Sequence, residues 1–129
     1  MEVIYLTLEN VLTIHEDQII RYGGSSGIGR LPLLESAIFR PQSTFGGEDL
    51  YPTIFDKAAS FMHSLILNHP FIDGNKRTGT ASMLVFLELN NYRLKVFQEQ
   101  LVNMALSVES KKTNVEQLSL WLKKNSKKI

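Results

Sequence analysis

A chain of 129 residues without cysteine can bury about two thirds of its extended surface in one domain, and it excludes a disulfide framework and thiolate metal sites. Fourteen basic residues against thirteen acidic ones leave a formal charge of +1, too even for the overall field to draw in nucleic acid. The start, Met1 to Leu6, has no basic region before an apolar stretch, and no apolar run approaches the ~18 residues of a membrane span. The expected address is therefore the cytoplasm, with neither nucleic acid nor membrane as a direct partner. From Thr7, a capping residue type, Leu8, Val11, Leu12, His15 and Ile19 fall on one helical stripe that Gly23-Gly24 terminates. After a loose loop from Gly23 to Gly29, Pro32 suits a first helical turn, and Leu34, Ala37 and Ile38 share a face before Arg40-Pro41 stops the helix.

Gly46, Gly47, Glu48 and Asp49 make the stretch from Gln42 to Tyr51 a loop or small hairpin. From Pro52 the positions Ile54/Phe55, Ala58/Ala59, Met62 and Leu65/Ile66 recur at helical spacing and end near Asn68, with Pro70 as the breaker. A further helix begins near Asn75. Ala81, Met83, Leu84, Val85, Phe86, Leu87 and Leu89 leave it almost no polar face, which places it at the centre of the domain. Asn90-Asn91 suits a carboxyl cap, Tyr92 to Val96 reads as briefly extended, and Leu101, Val102, Ala105 and Val108 mark another amphipathic helix. In the last helix Thr113 and Glu116 form a capping box over a stripe of Val115, Leu118, Trp121 and Leu122. Lys123, Lys124, Lys127 and Lys128 read as its solvated, frayed end, where cations suit the helix dipole. The expected fold is all-α: one domain over residues 1–129, a six-helix bundle around a hydrophobic central helix, with a small hairpin.

The run Asn68-His69-Pro70-Phe71-Ile72-Asp73-Gly74-Asn75-Lys76-Arg77-Thr78-Gly79 sets charged and hydrogen-bonding side chains beside the buried core, which packing alone does not require. A helix begins with unpaired N–H groups and the positive end of its dipole, so the amides of Gly74 to Arg77 form an anion site. Lys76 and Arg77 add charge, and Gly74 permits a positive φ and close approach of a ligand. Asp73 would repel a polyphosphate unless a cation lay between them, and magnesium commonly takes one or two carboxylates plus phosphate oxygens and water. Histidine is the ordinary side-chain type that titrates around neutrality, which suits His69 to take a proton from a hydroxyl. Phe71 reads as an apolar anchor without a chemical role.

Taken singly, each residue has an ordinary reading: His69 a hydrogen-bonding residue at a helix end, Asp73 a helix cap, Lys76 and Arg77 solvated residues of a first turn. Cations at an amino terminus oppose the dipole, however, unless an anion compensates. Other sharp readings fail. The glycines from Gly74 to Gly79 lack the lysine of a P-loop and a preceding buried strand. His63 and His69 are six apart, not on one face as a zinc helix requires, and His15 on its buried stripe reads as a satisfied core histidine.

His69-Pro70-Phe71-Ile72-Asp73-Gly74-Asn75-Lys76-Arg77-Thr78 closely resembles the signature of the Fic/Doc superfamily, in its death-on-curing branch. Tyr22-Gly23-Gly24, Gly27, the short helix with Glu35 and Ala37, and Lys57-Ala58-Ala59 resemble that branch in order and spacing, so nearly the whole chain is covered. The resemblance implies the toxin of a toxin–antitoxin pair that uses ATP and magnesium to modify a protein hydroxyl. His69 would be the general base, Asp73 the magnesium ligand, and Gly74, Asn75, Lys76 and Arg77 the phosphate cradle. In AMP-transferring members the lysine position is normally glycine and a second arginine stands at Thr80. The departures here resemble the kinases, whose target is elongation factor Tu; AMP transfer and a degenerate binding-only member are the alternatives. Gly46 to Tyr51 lies where the superfamily has a target-aligning flap, or is a plain surface loop. No string of the superfamily's inhibitory helix is present, which implies restraint by a cognate antitoxin whose segment folds into a groove.

Overall fold

The computed structural model describes residues 2–129. Six α-helices form among them: α1 (Leu8–Tyr22), α2 (Leu31–Phe39), α3 (Ile54–Leu67), α4 (Asn75–Leu89), α5 (Gln98–Glu109) and α6 (Val115–Asn125). A 3-10 turn, Arg40–Gln42, extends α2, because Pro41 lacks the N–H that an α-helix would need there. Thr7 with Asn10 and Thr53 with Asp56 close reciprocal capping boxes on α1 and α3, satisfying donors that a helix start otherwise leaves unpaired. The box on α6 falls one residue later than expected, on Asn114 and Gln117. The Thr113 hydroxyl is instead engaged with Ser107.

One hydrophobic cluster joins all six helices, with Val11, Leu34, Phe61, Met83, Val108 and Leu122 among its buried members. Helix α4 packs chiefly on α3 and also meets α1 and α5. The α3 contact is close because Gly79 has no side chain: a Cβ there would lie 3.0 Å from Cγ1 of Ile66. The central helix is less uniformly buried than its composition implies. Thr78 and Ser82 face the core, while Val85 and Leu89 are exposed.

Two small hairpins complete the fold. Strand β1 (Thr44–Phe45) pairs antiparallel with β2 (Glu48–Asp49) across Gly46-Gly47. Its base is fixed to α3 by Lys57, which is 2% exposed and donates to Asp49 Oδ2 at 3.1 Å and to the Tyr51 carbonyl. The hairpin tip carries Phe45, which is exposed. Strand β3 (Tyr92–Leu94) pairs antiparallel with β4 (Ser126–Lys128). This corrects the expectation of a frayed basic helix end: α6 stops at Asn125, and Lys127 and Lys128 lie in a strand whose partner is the extended segment after α4.

Candidate active site

The link between α3 and α4 is held from several directions. Asn68 caps α3 and donates to the Leu33 carbonyl at 3.0 Å. His69 follows in the left-handed region, φ 51°, where a side-chain-bearing residue costs about 1–2 kcal/mol. The strain is imposed by the next residues, which are locked to the loop after α1. Pro70 O accepts the N–H of Gly29 and of Arg30 at 2.8 and 2.9 Å, and Ile72 N–H donates to Gly27 O at 3.2 Å. Phe71 is 2% exposed, the anchor that its apolar character implied.

Asn75, the first residue of α4, is buried. Its Oδ1 accepts the Phe71 N–H at 2.9 Å, and its Nδ2 donates to Phe71 O at 3.0 Å. Those two bonds fix the amide orientation, so the second Nδ2 hydrogen points at Nδ1 of His69, 3.1 Å away. The side chain of Asn75 therefore shapes the loop and orients the imidazole, and its backbone N–H is what remains for a ligand. Gly74 caps α4 with φ 77° and no side-chain cap. The first backbone bond into the helix is Thr78 N–H to Gly74 O. The N–H groups of Asn75, Lys76 and Arg77 thus have no acceptor among the described residues, an open set of donors at the positive end of the dipole.

Asp73 does not cap α4. Its Oδ1 accepts the N–H of Gly74 at 2.9 Å and its Oδ2 accepts that of Ser25 at 3.2 Å. The Ser25 and Gly74 N–H groups hold its carboxyl below the usual range, since bonds to the charged form favour ionisation. Gly24 makes room for this arrangement: a Cβ there would sit 2.6 Å from Asp73 Oδ2. Each carboxylate oxygen keeps an unused acceptor direction. No cluster of three or more histidine, cysteine or acidic side chains that could hold a metal exists among the described residues. The donor set fits a cation that takes one carboxylate and completes its shell with phosphate oxygens and water, as magnesium does.

His69, Asp73, Gly74, Asn75, Lys76 and Arg77 all border one cavity of about 150 Å³, together with Ile72. The His69 side chain is 62% exposed, so the imidazole is not turned into the core. The two cations have protein partners. Lys76 Nζ donates to Glu109 Oε2 at 3.0 Å, and the same oxygen lies 4.0 Å from His69 Nε2. Arg77 donates to the Gly23 carbonyl at 3.0 Å and lies over the Tyr22 ring, 5.7 Å from its centroid. Glu109 was not foreseen; it closes α5, far along the chain, and no local pattern marks it.

A larger cavity of about 400 Å³ runs between α1, α4 and α5. Its apolar wall includes Ala81, Leu84, Leu101, Val102 and Leu106, and Lys76 and Arg77 border it as well as the smaller cavity. The titratable groups of the candidate site converge on the smaller one; the larger is a groove that shares Lys76 and Arg77 with it. No described helix is long and apolar enough to cross a membrane.

A sequence profile of the Fic/DOC family matches residues 5–87. The chain is 43% identical over 90 residues to the Toxin Doc of Mycolicibacterium smegmatis, covering 70% of this chain and 67% of that protein. It is 30% identical over 90 residues to the Protein kinase doc of Escherichia phage P1, covering 70% and 71%.

Proposed function

Because the chain belongs to the Fic/DOC family, we propose that it is the toxin of a toxin–antitoxin pair, an ATP-dependent protein kinase that phosphorylates a hydroxyl of elongation factor Tu and so arrests growth in the cytoplasm. The observation that carries this reading is the convergence of His69, Asp73 and the open amides of α4 on one cavity. The relatives' names support the toxin and the kinase. All of residues 1–129 are read as one Fic/DOC domain, since α5 and α6 lie beyond the profile match yet share its core.

In the proposed reaction the hydroxyl oxygen forms a bond to the γ-phosphorus of ATP, the bond to the ADP oxygen breaks, and His69 takes the hydroxyl proton. The N–H groups of Asn75, Lys76 and Arg77, with the Lys76 ammonium, receive phosphate oxygens as charge shifts toward ADP. Magnesium, when bound at Asp73, neutralises phosphate charge. With the Asn75 amide donating to Nδ1, the neutral resting ring keeps its hydrogen on Nε2. Base action at Nε2 follows only once that hydrogen sits on Nδ1 and the Asn75 contact has yielded, a rearrangement of the resting geometry that accompanies loading of the site.

Lys76 and Thr80 favour phosphate over adenylate transfer. The Thr80 hydroxyl is turned back onto the Lys76 carbonyl at 2.8 Å and supplies no charge, where an AMP-transferring relative would have arginine. The β1–β2 hairpin, anchored at its base by Lys57, suits the role of target-aligning flap. The apolar groove, with Lys76 and Arg77 at its mouth, suits the amphipathic segment of a cognate antitoxin.

The test is to incubate the protein with ATP, magnesium and elongation factor Tu and weigh the target. A gain of one phosphate, lost with His69→Ala on the order of 10²–10⁴-fold in rate, is the expected result. A gain of one adenylate would replace kinase with AMP transferase, and no gain from folded protein would refute both.

A further inference from the structure

Helix α1 carries a histidine that the proposed chemistry does not use. His15 is 3% exposed, and its Nε2 lies 2.7 Å from the backbone oxygen of Asp73. A carbonyl oxygen has no hydrogen to give, so the imidazole donates and carries a hydrogen on Nε2. The same ring lies flat on Phe71, centroids 3.8 Å apart and planes 5° from parallel. One side chain of α1 therefore holds both ends of the segment from Phe71 to Asp73.

The bonded carbonyl is not an arbitrary one. It belongs to the peptide unit between Asp73 and Gly74, and the N–H of that same unit is the donor to Asp73 Oδ1. A peptide is planar, so fixing the direction of its carbonyl fixes the opposite direction of its N–H. His15 thereby sets where one carboxylate oxygen rests. The other oxygen is set by Ser25, in the loop that directly follows α1. The fit is close: a Cβ at Gly74 would come within 3.7 Å of His15 Nε2 and 3.2 Å of Ile19 Cδ1.

We propose that His15 is a positioning residue for the transfer site, orienting the Asp73 carboxylate and the first amides of α4 through the Asp73–Gly74 peptide. The proposal rests on the reading of Asp73 as the cation ligand. Packing alone and positioning make opposite claims about two variants. His15→Phe keeps the ring, its stacking and its burial but loses the donor; His15→Gln keeps an N–H donor at similar reach and loses the ring.

Amide hydrogen exchange on the protein without metal or nucleotide gives the first readout. His15→Phe should speed exchange at Gly74 and Ser25 while leaving the middle of α4 protected, and His15→Gln should not. Calorimetric titration with magnesium and ATP gives the second. His15→Phe should weaken magnesium-dependent binding on the order of 10–100-fold, the usual cost of removing a group that orients a metal ligand, and His15→Gln should retain most of it. Wild-type exchange and binding in His15→Phe, or a loss in His15→Gln equal to or larger than that of His15→Phe, would overturn the proposal and leave His15 a packing residue. Should His15→Phe not fold, retention of both readouts by His15→Gln supports the proposal and their loss overturns it. If the wild-type protein binds no magnesium–ATP, the reading of Asp73 fails and the positioning role fails with it; a wild-type protein that binds, beside an unaffected His15→Phe, removes the positioning role alone.

Discussion

The two walls of the cavity are built differently. On the Asp73 side every contact involves backbone: Ser25 and Gly74 N–H groups meet the carboxylate, His15 meets the carbonyl, and Gly24 leaves no atom in the way. On the Lys76 side the contacts are between ends of long side chains, with Lys76 and Glu109 side chains 41% and 35% exposed. Backbone-held groups sit in one place before any ligand arrives, whereas a part-exposed ion pair is worth about 0–1 kcal/mol and is readily exchanged. The carboxylate is therefore preset, and under the proposed function the ammonium rests on Glu109 until a phosphate displaces it.

That contrast predicts a large effect on the first wall and a small one on the second. Gly24→Ala should be the most damaging, since the new Cβ meets Asp73 Oδ2 at a position with φ +117°. A loss of about 1–3 kcal/mol in urea unfolding is expected, with magnesium-dependent ATP binding falling alongside. Glu109→Gln should keep stability within about 1 kcal/mol and bind ATP up to about fivefold tighter, because Lys76 no longer has a competing carboxylate. Weaker binding by that variant would mean that Glu109 holds Lys76 in its working place.

The smallest effect concerns pH. A carboxyl whose folded pKa is depressed contributes stability above its unfolded value, about 3.9 for aspartate, and loses it as pH falls through the folded value. Asp73 is held down by Ser25 and Gly74. Wild type should therefore be more stable than Asp73→Asn near neutrality, with the gap closing below about pH 4. A gap that stays constant through acid would show that the two backbone bonds do not favour the ionised form.

The sequence made the helices legible because their apolar spacing and capping residues are local. The run from His69 to Arg77 was legible for the same reason: its members are neighbours in the chain and converge on one cavity. Less legible was what α4 does with its apolar residues. Met83, Phe86 and Leu87 enter the core, while Ala81 and Leu84 line the groove, and spacing does not distinguish a face that is covered from one left open. Contacts between distant positions were out of reach altogether. Glu109 reaches Lys76 only because α5 packs across α4, and Lys127 leaves the helix because Arg93 offers a strand partner. His15 was rightly read as buried, but nothing in its own helix says that its partner is the backbone of Asp73.

The proposed transfer depends on a cation and a triphosphate meeting at Asp73 and the start of α4. Titrating ATP into the purified protein, with and without magnesium, tests this directly. One nucleotide per chain should bind in the presence of magnesium, and Asp73→Ala should abolish the magnesium-dependent part. Binding indifferent to magnesium and to the aspartate, or no binding by folded protein, would contradict the account.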